Sequence, residues 1–303
     1  MERYLDDVSN LGRISICVGT GNEGRGAGHT SGVLIEGQRE AIELAVQERQ
    51  TSFNIQIWKS YTDEAAISLV SPSGAQAGPF REVLGPQRFV LGQTEILLYY
   101  GEPSPYSVRQ EIFIDLIPRE SYVTTGIWQI LLDAGRVVDG NYEMWLPSEN
   151  ALNAGTGFRY PVPQTTLTIP STASRVISVG AYDARTFTYA DFSGRGIPGQ
   201  GTEPMSGNLI KPDIAAPGVG VITVAAGGGY APVTGTSFAT PFVTGGAALL
   251  MEWGIVRGND PYLYGEKVKA YLRRGARQLP VYEQWPNNQL GYGALCVRDS
   301  LLE

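Results

Sequence analysis

GTSFATPFVTGGAALLMEWGI, residues 235–255, is a run of small and apolar residues with no charge before Glu252. It is too long for a strand and reads as an apolar core helix that opens at Ser237. A serine at a helix start most often serves as an N-cap. Here its neighbours are Gly, Thr and Ala, so a substrate backbone can come close. The helix N-terminus also favours an oxyanion developing beside Ser237. The residues alone leave cap and nucleophile both open. On this reading Pro241 falls in the first turn, where its missing N–H costs little.

Working outward, ISICV (14–18) is a continuous apolar run that fits a strand buried on both faces, as in a parallel sheet. VISVGAY (176–182) and GVGVITVA (218–225) supply two more strands, and KVKAYLRRGA (267–276) an amphipathic helix. ERYLDDVSNL (2–11) places Tyr4, Leu5, Val8 and Leu11 on one helical face. Between about 30 and 165 the pattern changes. AIELAV, FNIQIW, AISLV, EILLYY, QEIFIDLI, GIWQILL and YEMWLP are short, mostly alternating runs separated by turns. Ser71-Pro72-Ser73-Gly74 and Pro103-Ser104-Pro105 are turn signals, and Asp139-Gly140 reads as a hairpin turn. The predicted fold is α/β, a mainly parallel sheet with flanking helices, interrupted by an all-β, jelly-roll-like insertion. The predicted domains are 1–29 with 166–303, and 30–165. Trp58, Trp128 and Trp145 lie in strand-like runs and are expected to be at least partly buried.

Composition narrows the function. The formal net charge is −7 and no Lys/Arg cluster occurs, which argues against a nucleic-acid partner. No apolar run approaches the roughly 18 residues of a membrane span, and the N-terminus lacks a signal-peptide apolar core. No membrane partner is expected. Cys17 and Cys296 read as isolated small core residues rather than a bridge. With one histidine, His29, any mechanism that needs a His pair or a His metal cluster fails. No EF-hand spacing or Cys/His cluster is present, so no metal site is predicted. GTGNEG (19–24) matches G-x-G-x-x-G after a strand, but the following RGAGHTSG (25–32) is a poor helix. A dinucleotide site, and with it any cofactor, is not expected.

GNEG (21–24), VISVGA (176–181), KPDIAAPG (211–218), GTSFATP (235–241) and PNNQLGYGAL (286–295), in that order, resemble the subtilisin-like serine proteases. The likeness covers about residues 1–28 and 166–303. The long β insertion straight after GNEG, with IWKSYTDEAAISLVSPSG (57–74), is similar to the clostridial spore-germination proteases, the Csp group. The resemblance implies a serine endopeptidase that acts on protein or peptide substrates, with Ser237 as nucleophile. It implies that Asn22 is the side-chain donor of the oxyanion hole, alongside the Ser237 N–H. It assigns Gly19 and Gly21 to one wall of the pocket for the residue before the scissile bond, and Thr168, Ile169 and Pro170 to its far rim. Subtilases often bind calcium, yet no residue here matches a calcium site. The compartment is unknown from the sequence, and the Csp likeness implies a spore-associated or secreted protein.

The departure from the family matters most. Its chain order is Asp, His, Asn, Ser. Only 21 residues precede Asn22, none is a histidine, and the D-[ST]-G and H-G-T-H-V motifs are absent. The chain is therefore expected to represent the C-terminal part of a subtilase and to be inactive alone. Its first strand is expected to leave an unpaired edge, covered by self-association or by an N-terminal fragment. His29 precedes Ser237 as in chymotrypsin's order, but no G-D-S-G-G surrounds the serine, and a solvated or loop-stabilising role is expected. Asp191 and Asp213 sit in turn-rich segments and are read as structural. The alternative reading is a non-catalytic pseudoprotease or regulatory binding module.

Overall fold

The computed structural model describes residues 1–105, 107–198 and 210–301. The chain divides into two compact units, Met1–Arg25 with Pro163–Glu303, and Gly26–Val162. These boundaries fall a few residues before those read from the sequence. The reason is local: residues 27–30 are stitched to the far end of the insertion. The Phe158 N–H donates to Ala27 O and the Val162 N–H to His29 O, each at 2.8 Å.

The first unit begins with α1 (Glu2–Leu11) and β1 (Cys17–Gly19). After the insertion come β13 (Ile177–Asp183), β14 (Thr188–Tyr189), β15 (Ile214–Pro217), β16 (Val221–Val224) and β17 (Tyr230–Val233), followed by α2 (Thr236–Met251), α3 (Glu266–Arg274) and α4 (Val297–Ser300). β13 is the sheet's centre, pairing in parallel with β1 on one side and β15 on the other, while β14 runs antiparallel to its end. Ile177, Val179 and Ala181 of β13 pack on Ala239, Val243, Ala247 and Leu250 of α2 and on Val268 and Leu272 of α3.

Several expectations are corrected here. β1 is shorter than ISICV and half-exposed, because it is the edge strand of the sheet rather than a strand covered on both faces. The 218–225 run yields β16, but among the described residues β16 pairs with β17 alone, as a separate hairpin. The third strand of the main sheet is β15, inside KPDIAAPG. It is too short and too rich in Ala and Pro to announce itself by periodicity. α1 forms as read, yet no residue of it is buried, and Tyr4 and Leu11 are 70% and 87% exposed. Its anchor is polar: Asp6 accepts the Ser174 and Arg175 N–H groups and the Ser174 hydroxyl. With a π-helical turn at Glu252–Val256, α2 has the length and apolar composition of a membrane span, at a mean hydropathy of 1.2. One stripe of it is nonetheless the core of this unit. Part of the Gly- and Pro-rich stretch 193–217, residues 199–209, lies outside the described residues.

The second unit is all β. Its strands are β2 (His29–Val33), β3 (Arg39–Val46), β4 (Phe53–Ser60), β5 (Ala65–Val70), β6 (Gln76–Phe80), β7 (Gly85–Leu91), β8 (Thr94–Tyr100), β9 (Arg109–Pro118), β10 (Gly126–Ala134), β11 (Asn141–Trp145) and β12 (Gly157–Phe158). They form two antiparallel sheets, in the orders β12-β3-β10-β5-β6 and β2-β11-β4-β9-β8-β7. Strict alternation turns one face of each sheet inward. Leu44, Ile67, Trp128 and Ile130 from one sheet share a core with Ile55, Ile57, Leu98 and Ile114 from the other. Trp128 is buried and its indole N–H reaches Thr124 O at 2.8 Å, whereas Trp58 and Trp145 are half-buried.

Asp139-Gly140 is not a hairpin turn, since β10 and β11 belong to different sheets. The chain crosses between sheets there, and the buried Asp63 carboxylate gathers the N–H groups of Val138, Asp139 and Gly140 at 2.6, 3.0 and 2.8 Å. Ser71-Pro72-Ser73-Gly74 does close the β5–β6 hairpin, with the Gly74 N–H on Ser71 O.

Candidate active site

Parallel pairing with β13 brings the end of β1, and the loop after it, to the N-terminus of α2. Gly19 and Gly21 flank this approach. A Cβ on Gly19 would lie 3.0 Å from Thr236 Oγ1 and 3.1 Å from Thr240 Oγ1, so any larger residue would push the strand end and the helix start apart by a few tenths of an ångström. Gly21 has φ +89°, and a Cβ there would meet Thr168 Oγ1 at 2.4 Å. Thr168 is fixed by its N–H and hydroxyl, which both donate to Thr20 O, at 3.0 and 3.3 Å. The structure thus brings Gly19, Gly21, Asn22 and Thr168 together around the start of α2. Ile169 and Pro170 follow Thr168 in the chain. Pro170 O accepts the Ala173 N–H at 3.1 Å, and the Ile169 side chain is largely exposed.

Asn22 is exposed in the loop after β1. Its Oδ1 accepts the Thr236 N–H at 3.0 Å and the Thr236 hydroxyl at 3.2 Å. An N–H can only donate, so the atom facing Thr236 has to be the amide oxygen. The amide orientation is thereby fixed, and the Nδ2 donor is turned away from Thr236. The Thr236 N–H is one of the orphan donors of a helix N-terminus, so this one contact also caps the helix. Sequence reasoning did not single out Thr236. The signal was present as a hydroxyl beside the candidate nucleophile, but only the fold shows that it faces Asn22.

Ser237 is the second residue of α2 and is exposed. Its N–H lies in the first turn, where the helix offers it no acceptor. Pro241 is corrected in position: it is the sixth residue of the helix, beyond the first turn. Its absent N–H is the one that would have served the Ser237 carbonyl, four residues back. The glycine-rich loop 20–28 contains no helix, which removes the structural context of a dinucleotide site. Cys17, the first residue of β1, is a free, half-buried cysteine whose partial burial pushes its thiol up. Cys296 is also free.

His29 belongs to the second unit, in β2 rather than in a loop, and its side chain is only 2% exposed. Nδ1 bonds Val162 O at 2.8 Å, Nε2 bonds Glu143 Oε2 at 2.5 Å, and the ring lies 5.0 Å from that of Trp145. Both nitrogens are engaged in holding the ends of the insertion together. Asp191 makes an exposed ion pair with Arg25 at 3.5 Å. Asp213 is fully buried and its Oδ2 accepts the Ser178 N–H at 2.6 Å, a structural role of a stronger kind than a turn cap. Among the described residues no group of three or more His, Cys, Asp or Glu side chains could hold a metal ion.

Residues 154–293 match the family Peptidase S8, the subtilase family. The chain is similar to the solved structure of the Clostridium perfringens CspB protease, with 34% identity and a TM-score of 0.90. That likeness covers 99% of this chain and 61% of the other. It is 31% identical over 159 residues to the serine protease AprX of Bacillus subtilis, covering 45% of this chain and 32% of AprX. It is 42% identical over 67 residues to the alkaline elastase YaB of a Bacillus species, covering 22% of this chain and 16% of that protein. The chain thus spans less than two thirds of each of these proteins.

Proposed function

We propose, from the match of residues 154–293 to the subtilase family, that the chain is the nucleophile-bearing part of a serine endopeptidase that cleaves protein or peptide substrates by acyl transfer. The observation that carries this reading is the pair of hydrogen bonds that Thr236, the residue before Ser237, donates to Asn22 Oδ1, which turns the Asn22 amide donor away from Thr236. In the proposed step, Ser237 Oγ attacks the scissile carbonyl carbon and gives its proton to a base. Asn22 Nδ2–H and the Ser237 N–H then receive the oxyanion, a contribution of about 3–4 kcal/mol for the side-chain donor. Gly19, Gly21, Thr168, Ile169 and Pro170 line the pocket for the residue before the scissile bond. The step needs no metal or organic cofactor.

The base is the missing element. The sequence has one histidine, and its two ring nitrogens are spent on Val162 and Glu143. In this reading the imidazole and its orienting carboxylate come from polypeptide beyond this sequence. An open edge at β1 and the exposed apolar residues Phe242 and Leu249 on α2 support either docking of such a segment or self-association. The two-sheet second unit is a jelly-roll-like insertion on this view. The rival reading, a non-catalytic binding module, is favoured by the engagement of His29.

A casein or peptide hydrolysis assay on the purified chain and its Ser237→Ala variant tests the proposal. Equal background rates are expected, since loss of the base leaves an unactivated hydroxyl and triad removal costs on the order of 10⁶-fold. Robust hydrolysis that the variant abolishes would contradict the claim that the base is absent.

A further inference from the structure

Away from this site, on the loop and helix that close the first unit, three cations converge on one carboxylate. Asp213 is met by Lys211 at 3.7 Å, by Lys269 at 3.4 Å and, more closely, by Arg273. Asp213 and both lysines are almost fully buried. The local balance is three cationic side chains against one carboxylate; burial pushes both lysines down, Lys211 to about 8, while Asp213 works the other way. The other carboxylates that act on this cluster are Asp6, committed to the Ser174 and Arg175 N–H groups, and the exposed Glu266. The lysine ammonium groups donate to the carbonyls of Ala173, Ser174 and Val176, which accept hydrogen bonds but carry no net charge. Buried charge of this kind is costly unless it is both paired and hydrogen-bonded.

Two further donors sit on the rim of the same carboxylate. Ser178 gives its N–H to Asp213 Oδ2, and Arg273 gives an Nη2–H to Oδ1. The Ser178 hydroxyl and the Arg273 Nε are both buried and have no acceptor among the described residues. Both idle donors therefore belong to residues that bond the Asp213 carboxylate at the centre of the cationic cluster.

We infer that a small halide-class anion binds beside Asp213, held by the Ser178 hydroxyl and Arg273 Nε–H, with Lys211 and Lys269 supplying the attractive field. A water would satisfy the donors but leave the charge excess untouched. A phosphate or carboxylate ligand would need an open mouth, whereas the only partly exposed member of the cluster is Arg273, against the Tyr292 ring. The bound ion ties β13, the 211–213 loop and α3 together, so stability responds to which anion is present and not only to ionic strength.

The test uses the full chain. Thermal unfolding is followed across a sodium bromide series and a sodium gluconate series of matched ionic strength, and a crystal soaked in bromide is measured for anomalous scattering. The expected results are a saturable rise in Tm specific to bromide, at least halved in Ser178→Ala, and an anomalous peak within hydrogen-bond reach of Ser178 Oγ and Arg273 Nε. If Ser178→Ala does not fold, Arg273→Lys keeps the charge, removes the Nε donor, and is expected to weaken the bromide response in the same way. A water without anomalous signal overturns the inference. So does a bromide peak in the crystal with no specific response in solution, or an equal response in wild type and variant.

Discussion

Asn22 Oδ1 receives both the N–H and the hydroxyl of Thr236, two residues 214 positions apart in the chain and adjacent in the fold. This contact, one residue before Ser237, orients the Asn22 side-chain amide and caps the helix at once. In a preparation with Ser237-dependent turnover, Asn22→Ala is expected to lower kcat by about 10²–10³-fold with little change in KM. Thr236→Val keeps the N–H bond and loses the hydroxyl bond, worth about 1 kcal/mol, so its kcat should fall by less than tenfold. Steady-state kinetics on the two variants checks this. A Thr236→Val loss as large as that of Asn22→Ala would mean that Thr236 acts on the substrate itself.

Gly21 combines a left-handed backbone with no room for a side chain. Gly21→Ala should cost roughly 1–3 kcal/mol of stability from overpacking and strain. Adding Thr168→Ala removes the clash with Thr168 Oγ1 and should recover part of that loss, leaving the backbone term. Denaturant midpoints of the single and double variants measure the two shares. A single variant as stable as the parent would show that the loop re-forms elsewhere.

Much of this site was legible in the sequence because its residues form local runs. GNEG and GTSFATP carry their neighbours with them, and Ser237, Asn22, Gly19, Gly21 and Thr168 fall in one place. What the sequence hid was non-local. Thr236 gains its role only when β1 meets α2, and β15 is too short for a periodic signal. Asp139-Gly140 has the composition of a hairpin, but turn chemistry cannot say that the flanking strands enter different sheets. The pleat of the second unit was readable because alternation is a one-dimensional pattern; the buried Lys59, held by Ser60 O, Asp63 O and Gln110 Oε1, broke it.

Asp63 links the second unit to pH. Burial works to raise its pKa, but the N–H groups of Val138, Asp139 and Gly140 and the nearby Lys59 hold it below the ordinary 3.8. A carboxyl depressed in the folded state stabilises the fold above its unfolded value and loses that contribution as pH falls through its folded value. Asp63→Asn should therefore destabilise the protein by about 1–3 kcal/mol at neutral pH. The gap to wild type should narrow below about pH 4, the range set by the unfolded value. Chemical denaturation at pH 7 and pH 3 reads both. A gap that is constant with pH would remove the carboxylate from the argument.

The outward face of α2 bears on association. Leu249 is 55% exposed on a helix that carries no charged residue from Thr236 to Met251. An apolar helix of this kind is ordinarily covered on all sides. Light scattering of the purified chain should show more than the monomer mass, and Leu249→Glu should return it to monomer. A monomeric parent at micromolar concentration would refute self-association.

The central claim is that Ser237 is a nucleophile in a half-built acyl-transfer site. A fluorophosphonate probe reads this directly. It is applied to the chain alone, to the chain mixed with the part of the Clostridium perfringens CspB chain that it does not cover, and to Ser237→Ala under both conditions. The predicted result is labelling of Ser237 only in the mixture, and none in the variant. Labelling that survives Ser237→Ala, or a mixture in which complex forms and Ser237 remains unlabelled, would contradict it.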